Sequence, residues 1–137
     1  MTSTFYLKIT VLQRPFDLAM DDLHRLRIVF NIITCKVPSD TFAQEILSLL
    51  VAARVGTLGT NMFLSSSVTL PTGDGPYLSV IETPGREADY IHNMMEPAYE
   101  YPAAQIVVRA KSRGPAFAMA TAAYNALKGV VNQTVTF

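Results

Sequence analysis

PTGDGPYLSVIETPGREADYIHNMMEPAYEYPAAQIVVRAKSR, residues 71–113, is the stretch whose reading decides the fold. Its segments 77–83 (YLSVIET) and 103–111 (AAQIVVRAK) are rich in β-branched residues and flanked by Pro and Gly, the signature of strands. Between them, 84–102 is rich in Pro, Glu and Tyr, and its length predicts an exposed functional loop or arm. Gly114-Pro115 opens a helix directly afterwards, with proline suited to the first turn. Ahead of the first strand, PTGDGP has the composition of a turn, so the strand-like run 60–70 (TNMFLSSSVTL) is expected to pair with 77–83 as a β-hairpin or a looser equivalent.

Further upstream, Pro38-Ser39-Asp40-Thr41 precedes an apolar stripe of Phe42, Ile46, Leu49, Leu50 and Ala53. Thr41 with Gln44 three residues on fits a capping box, and Gly56 is the expected stop. Residues 5–12 (FYLKITVL) alternate with period two and predict a strand ended by Arg14-Pro15. Over 17–33, Ala19, Leu23, Leu26, Phe30 and Ile33 follow helical spacing and predict a helix capped by Asp17, while the β-branched second half makes a strand over Ile28–Thr34 the rival. Downstream, Phe117, Thr121, Tyr124 and Leu127 line one face of the last helix, with alanines between them allowing close packing. Gly129 ends it, and VVNQTVTF is a terminal strand. The order predicts an α+β fold: a mostly antiparallel or mixed sheet with two main helices packed on it. Residues 1–36 read as a strand-helix extension or arm, and 37–137 as the α+β domain.

The chain has 137 residues, room for one domain with a real core. Eleven basic side chains balance 11 acidic ones, and half the residues are hydrophobic. That balance argues against a nucleic-acid binder, which carries a basic excess, and favours self-association. Cys35, the single cysteine, lies in an apolar run and reads as a small buried hydrophobe. The apolar runs are too short for a membrane span, and the N-terminus lacks the pattern of a signal peptide, so the expected location is a cytoplasm or a particle assembled there.

No catalytic pattern emerges. Thr72–Pro76 lacks the Lys-Ser/Thr of a phosphate-binding loop, and Gly56-Thr57-Leu58-Gly59 is followed by a strand-like run where a KH loop needs a helix. His24 and His92 have no partners at metal-ligand spacing. Glu82, Glu87, Asp89, Glu96 and Glu100 read as solvated loop acids, not an acid–base pair. The expectation is no enzyme activity, no metal and no cofactor. Charge segregation does stand out. From Asp74 to Glu100 the chain is acidic with Arg86 its one Lys or Arg; from Tyr101 on it has no acid, while Arg109, Lys111, Arg113 and Lys128 are basic. One reading is ordinary segregation over a folded domain. The other is a head-to-tail interface between copies, for which Glu82, Arg86, Glu87, Asp89, Glu96, Glu100, Arg109, Lys111 and Arg113 are the candidate residues.

In order, the segments DTFAQEILSLLVAARVGTLGTNMFLSSSVTLP, PYLSVIETPG, YEYPAAQIVVRAK and AFAMATAAYNALKGVV resemble the minor capsid or tail-terminator family of long-tailed bacteriophages. The telling matches are Glu82-Thr83-Pro84-Gly85, Tyr101-Pro102 leading into Gln105–Ala110, and the alanine-rich helix ending at Leu127-Lys128-Gly129, and the likeness spans about residues 39–135. It implies a structural virion protein: a hexameric ring that caps the tail tube, stops its polymerisation and offers the head–tail joining surface. The implied partners are further copies of the chain, the tail-tube protein and a neck or head-completion protein, with DNA passing through the lumen and no membrane. It also makes 84–102 the candidate for contacts between subunits or along the tube. The chain departs from the family in two places. Relatives continue past the position of Val135 with a further hairpin, and residues 1–36 have no clear counterpart, which makes an internal start at Val37 conceivable. The preferred expectation is that FYLKITVL is a real strand, paired with the sheet or with a neighbour. The alternatives are a neck or other minor capsid protein and, from a different class, a ligand-binding α+β domain using the Tyr- and Met-rich loop.

Overall fold

A computed structural model describes residues 3–18, 26–37, 42–64, 75–90, 97–131 and 133–136. Along the chain run β1 (Ser3–Val11), β2 (Phe16–Leu18), β3 (Leu26–Lys36), α1 (Phe42–Ala52), β4 (Met62–Leu64), β5 (Tyr77–Tyr90), β6 (Pro97–Ala110), α2 (Arg113–Leu127) and β7 (Gln133–Thr136). The strands form a sheet in the order β4-β5-β6-β3-β1-β7, with β2 also paired to β3. Only β4–β5 is parallel; the other pairings are antiparallel. Both helices share a core with one sheet face, where Ile28, Phe30, Ile32, Leu78, Val80, Ile106 and Val108 meet Ile46, Leu50, Ala120 and Leu127. The architecture is α+β, a mixed and mostly antiparallel sheet carrying two helices.

The central strand β3 corrects the helix expected over 17–33. Asp17 belongs to β2, and Leu26 to Ile33 lie in β3. Ile28, Val29, Ile32, Ile33 and Thr34 lose χ1 freedom in a helix and gain packing on a pleated surface. Sheet neighbours on both sides then supply their backbone partners: β6 pairs along Leu26–Ile33, while β2 and β1 pair in turn along the other edge. Leu12 and Gln13 bridge the gap between those two strands. Leu12 N–H donates to Asn31 O at 2.9 Å, and Gln13 Oε1 accepts from Asn31 N–H at 3.3 Å. The strand expected over 5–12 is β1, Ser3–Val11, paired to β3 and to β7.

α1 falls where the apolar stripe predicts, with Phe42, Ile46 and Leu50 buried; full burial of such side chains contributes about 1.5–3 kcal/mol each. Its stop is not Gly56. The left-handed residue is Arg54 (φ 61°), with Val55 N–H donating to Leu50 O and Arg54 N–H to Val51 O, both at 3.0 Å. This is the Schellman pattern, built on a residue with a Cβ. Gly56 serves packing instead: a Cβ there would lie 2.6 Å from Asn61 Oδ1 and 2.8 Å from Met62 Cγ. α2 is rotated relative to the expected face. Ala116, Met119, Ala120, Ala123 and Leu127 are buried, Phe117 is exposed, and Tyr124 is half-buried, edge-on to Phe30 at 6.0 Å. Alanines are the contact surface here, letting the helix sit close on the sheet.

Two further expectations change. β4 and β5 run parallel, so 60–70 and 77–83 do not make a hairpin; residues 65–74 lie outside the described residues. The expected loop 84–102 is mostly strand, because β5 continues to Tyr90 and β6 begins at Pro97. Cys35 is half-buried on the helix-free face rather than fully buried.

Candidate functional site

β5 and β6 form one long antiparallel pair, and the candidate residues lie along it. Its first part, from Tyr77↔Arg109 to Thr83↔Ala103, is regular and sits inside the sheet. Its second part runs through Arg86↔Tyr101, Asp89↔Tyr99 and Tyr90↔Pro97. β3 ends at Lys36, opposite Glu100, and β4 pairs only with Leu78–Val80. Among the described residues, the part beyond Glu100, with Asp89↔Tyr99 and Tyr90↔Pro97, is therefore a two-stranded ribbon projecting past β3 and β4.

At the junction, the most distinctive sequence motifs face one another. Between Thr83↔Ala103 and Arg86↔Tyr101, Pro84 and Gly85 on β5 stand against Pro102 alone on β6, the two-against-one arrangement of a β-bulge. Gly85 is held against Tyr101, whose carbonyl any Cβ would overlap. Pro102 offers no N–H to the ladder, but its carbonyl accepts from Thr34 Oγ1 at 3.1 Å. Glu82-Thr83-Pro84-Gly85 and Tyr101-Pro102 are thus the two halves of one bend.

Glu82 and Glu100, expected as solvated loop acids, both anchor this bend. Glu82 is exposed, yet its Oε1 accepts from the Ala43 N–H at 3.3 Å, placing a carboxylate at the positive end of α1. Lys36 Nζ donates to Glu100 Oε1 at 3.1 Å and lies 3.4 Å from Glu45 Oε1. The Lys36 and Glu45 side chains are fully buried, and Glu100 is 27 % exposed. One ammonium therefore joins β3, α1 and β6. Sequence reasoning missed Lys36 and Glu45; the only available signal was a charge continuing each apolar pattern. Arg86, Glu87 and Asp89 lie on the ribbon strand of β5, and Glu96 is outside the described residues.

The basic candidates occupy the opposite end of β6. Arg109 stacks its guanidinium over Tyr77 at 5.7 Å from the ring centroid, and Tyr77 meets Phe63 edge-on at 6.1 Å. Arg27 stands directly across from Arg109 in the β3–β6 register, adding a cation hidden by the helical reading of 17–33. Lys111 is exposed just before α2. Arg113 opens that helix, with its guanidinium 4.8 Å from the Phe117 ring centroid and its Nε 3.4 Å from Asp17 Oδ2. Both charges of the Arg113–Asp17 pair are more than half exposed, so it adds little stability. Glu100 and Arg109 are nine residues apart on β6, about 30 Å at the rise of a strand. The structure thus places Glu82, Arg86, Glu87, Asp89, Glu100 and Arg109 on the β5–β6 pair, with Lys111 and Arg113 just past its other end.

Among the described residues, no group of three or more His, Cys, Asp or Glu could hold a metal ion, and no helix is long and apolar enough to cross a membrane. His24 and His92 lie outside the described residues. No family model, curated protein or solved structure matches this chain.

Proposed function

We propose that the chain is a structural subunit of a long-tailed phage, a tail terminator that assembles head to tail into a ring capping the tail tube. The observation that supports this reading most is the separation of charge along β5 and β6. The strand carrying Glu87 and Asp89 projects at one end, and the exposed Lys111 and Arg113 lie at the other. The two ends are about 30 Å apart along the strand pair, well beyond a Debye length, so the charges at one end do not offset those at the other. Between copies they complement each other, and a heterologous contact of this kind closes into a ring when its rotation allows. The resemblance carried by Glu82–Gly85, Tyr101-Pro102 and the alanine-rich helix supplies the tail context. In this role the protein works by shape and charge, without catalysis or a cofactor.

Native mass determination and electron microscopy of the purified chain test the reading, with ring-shaped oligomers as the expected result. The double reversal Lys111→Glu/Arg113→Glu should abolish them, and adding Glu87→Lys/Asp89→Lys should restore them. A wild-type chain that remains monomeric at high concentration, or that needs a small molecule for stability, would instead favour a ligand-binding domain.

A further inference from the structure

We propose that Lys36 is a positioning residue for the projecting ribbon, holding it in one direction relative to α1 so that its acidic strand is presented ready for docking. The docking purpose rests on the head-to-tail reading above; the positioning itself does not.

The ribbon needs such a device. Its described pairs, Asp89↔Tyr99 and Tyr90↔Pro97, lie beyond the last β3 pairing at Glu100 and beyond β4. A two-stranded ribbon on its own is marginal in water, and a bulge at its root permits bending and twisting. Lys36 occupies the last β3 position paired to β6, at the root of the ribbon. Its ammonium contacts Glu100 on the ribbon side and Glu45 in the first turn of α1. Glu82, on the other strand of the root, accepts from the Ala43 N–H in the same helical turn. Both strands at the root are therefore tied to the N-terminus of α1, one directly and one through Lys36.

Stability alone does not account for this choice of residues. Apolar replacement of a buried ion pair is often neutral or stabilising. What an apolar contact lacks is direction. An ammonium between two carboxylates fixes distances and angles, and without it Glu45 and Glu100 would repel across the α1–β6 contact.

Hydrogen exchange read by mass spectrometry on the full chain, below any assembly concentration, tests the proposal. Glu100→Ala keeps both members of the buried Lys36–Glu45 pair and removes the carboxylate that ties Lys36 to the ribbon. Because Lys36→Met alone strands a buried carboxylate, the second variant is Lys36→Met/Glu45→Leu, which keeps the α1–β3 contact apolar. In both variants, backbone amides of 87–90 and 98–100 should exchange about tenfold faster, the loss expected for one charge-assisted hydrogen bond, while β1 and α2 keep their protection. Ribbon exchange within about twofold of wild type in both variants would overturn the proposal, as would an equal rise across the whole sheet. Sizing of the wild type separates the two ideas. A monomer at every concentration removes the docking purpose, while the exchange result still decides whether Lys36 directs the ribbon.

Discussion

Gly85 on β5 lies so close to Tyr101 on β6 that a single methyl group on its Cα would overlap the Tyr101 carbonyl. The contact exists because Pro84 and Gly85 together oppose Pro102, which bends the strand pair where the ribbon leaves the sheet. The clash is with backbone, so no rotamer change relieves it.

Gly85→Ala should destabilise the chain by about 1–3 kcal/mol, the usual cost of overpacking that backbone must absorb. Gly114, in the first turn of α2, is the control, since a methyl on its Cα would meet nothing within 4 Å. Gly114→Ala should raise stability by up to about 1 kcal/mol through helix propensity. Urea unfolding of the two variants reads both signs, and equal effects would remove the special status of Gly85.

Arg54 holds φ at 61° to close the Schellman turn after α1. A side chain in that region costs about 1–2 kcal/mol relative to the right-handed basin, and glycine avoids most of it. Arg54→Gly should therefore raise stability by about 0.5–1 kcal/mol, seen as a higher thermal midpoint. Gly56→Ala should do the opposite, since its methyl would meet Asn61 and Met62.

The face that α2 presents to the sheet is open to a direct comparison. Ala120 is fully buried in the shared core, so Ala120→Leu should cost about 1–3 kcal/mol by forcing helix and sheet apart. Phe117 is 38 % exposed and lies outside the shared core, so Phe117→Ser should change stability by less than about 1 kcal/mol. The reverse ranking in denaturant titrations would restore the face expected from the spacing of Phe117, Thr121, Tyr124 and Leu127.

What the amino-acid order by itself determined was local periodicity and its punctuation. Phe42, Ile46 and Leu50 recur at helical spacing and mark α1, FYLKITVL alternates and marks β1, and Gly129 with its positive φ ends α2. These features depend on neighbours a few residues away, so the α+β class was legible. The tertiary structure decided what depends on distant partners. Leu26–Ile33 satisfied a helical stripe, yet β6 on one edge and β1 and β2 on the other gave its backbone a place in the middle of the sheet. Met62–Leu64 was visible as a strand, but its parallel direction depends on the register with Leu78–Val80. The candidate site followed the same division. Its charges could be found along the chain, as could Glu82–Gly85 and Tyr101-Pro102. That those two motifs oppose each other at one bend was set by strand register. That Lys36 meets a carboxylate 64 residues away was set by packing, because burial forces an ammonium to seek whichever partners the fold brings within reach.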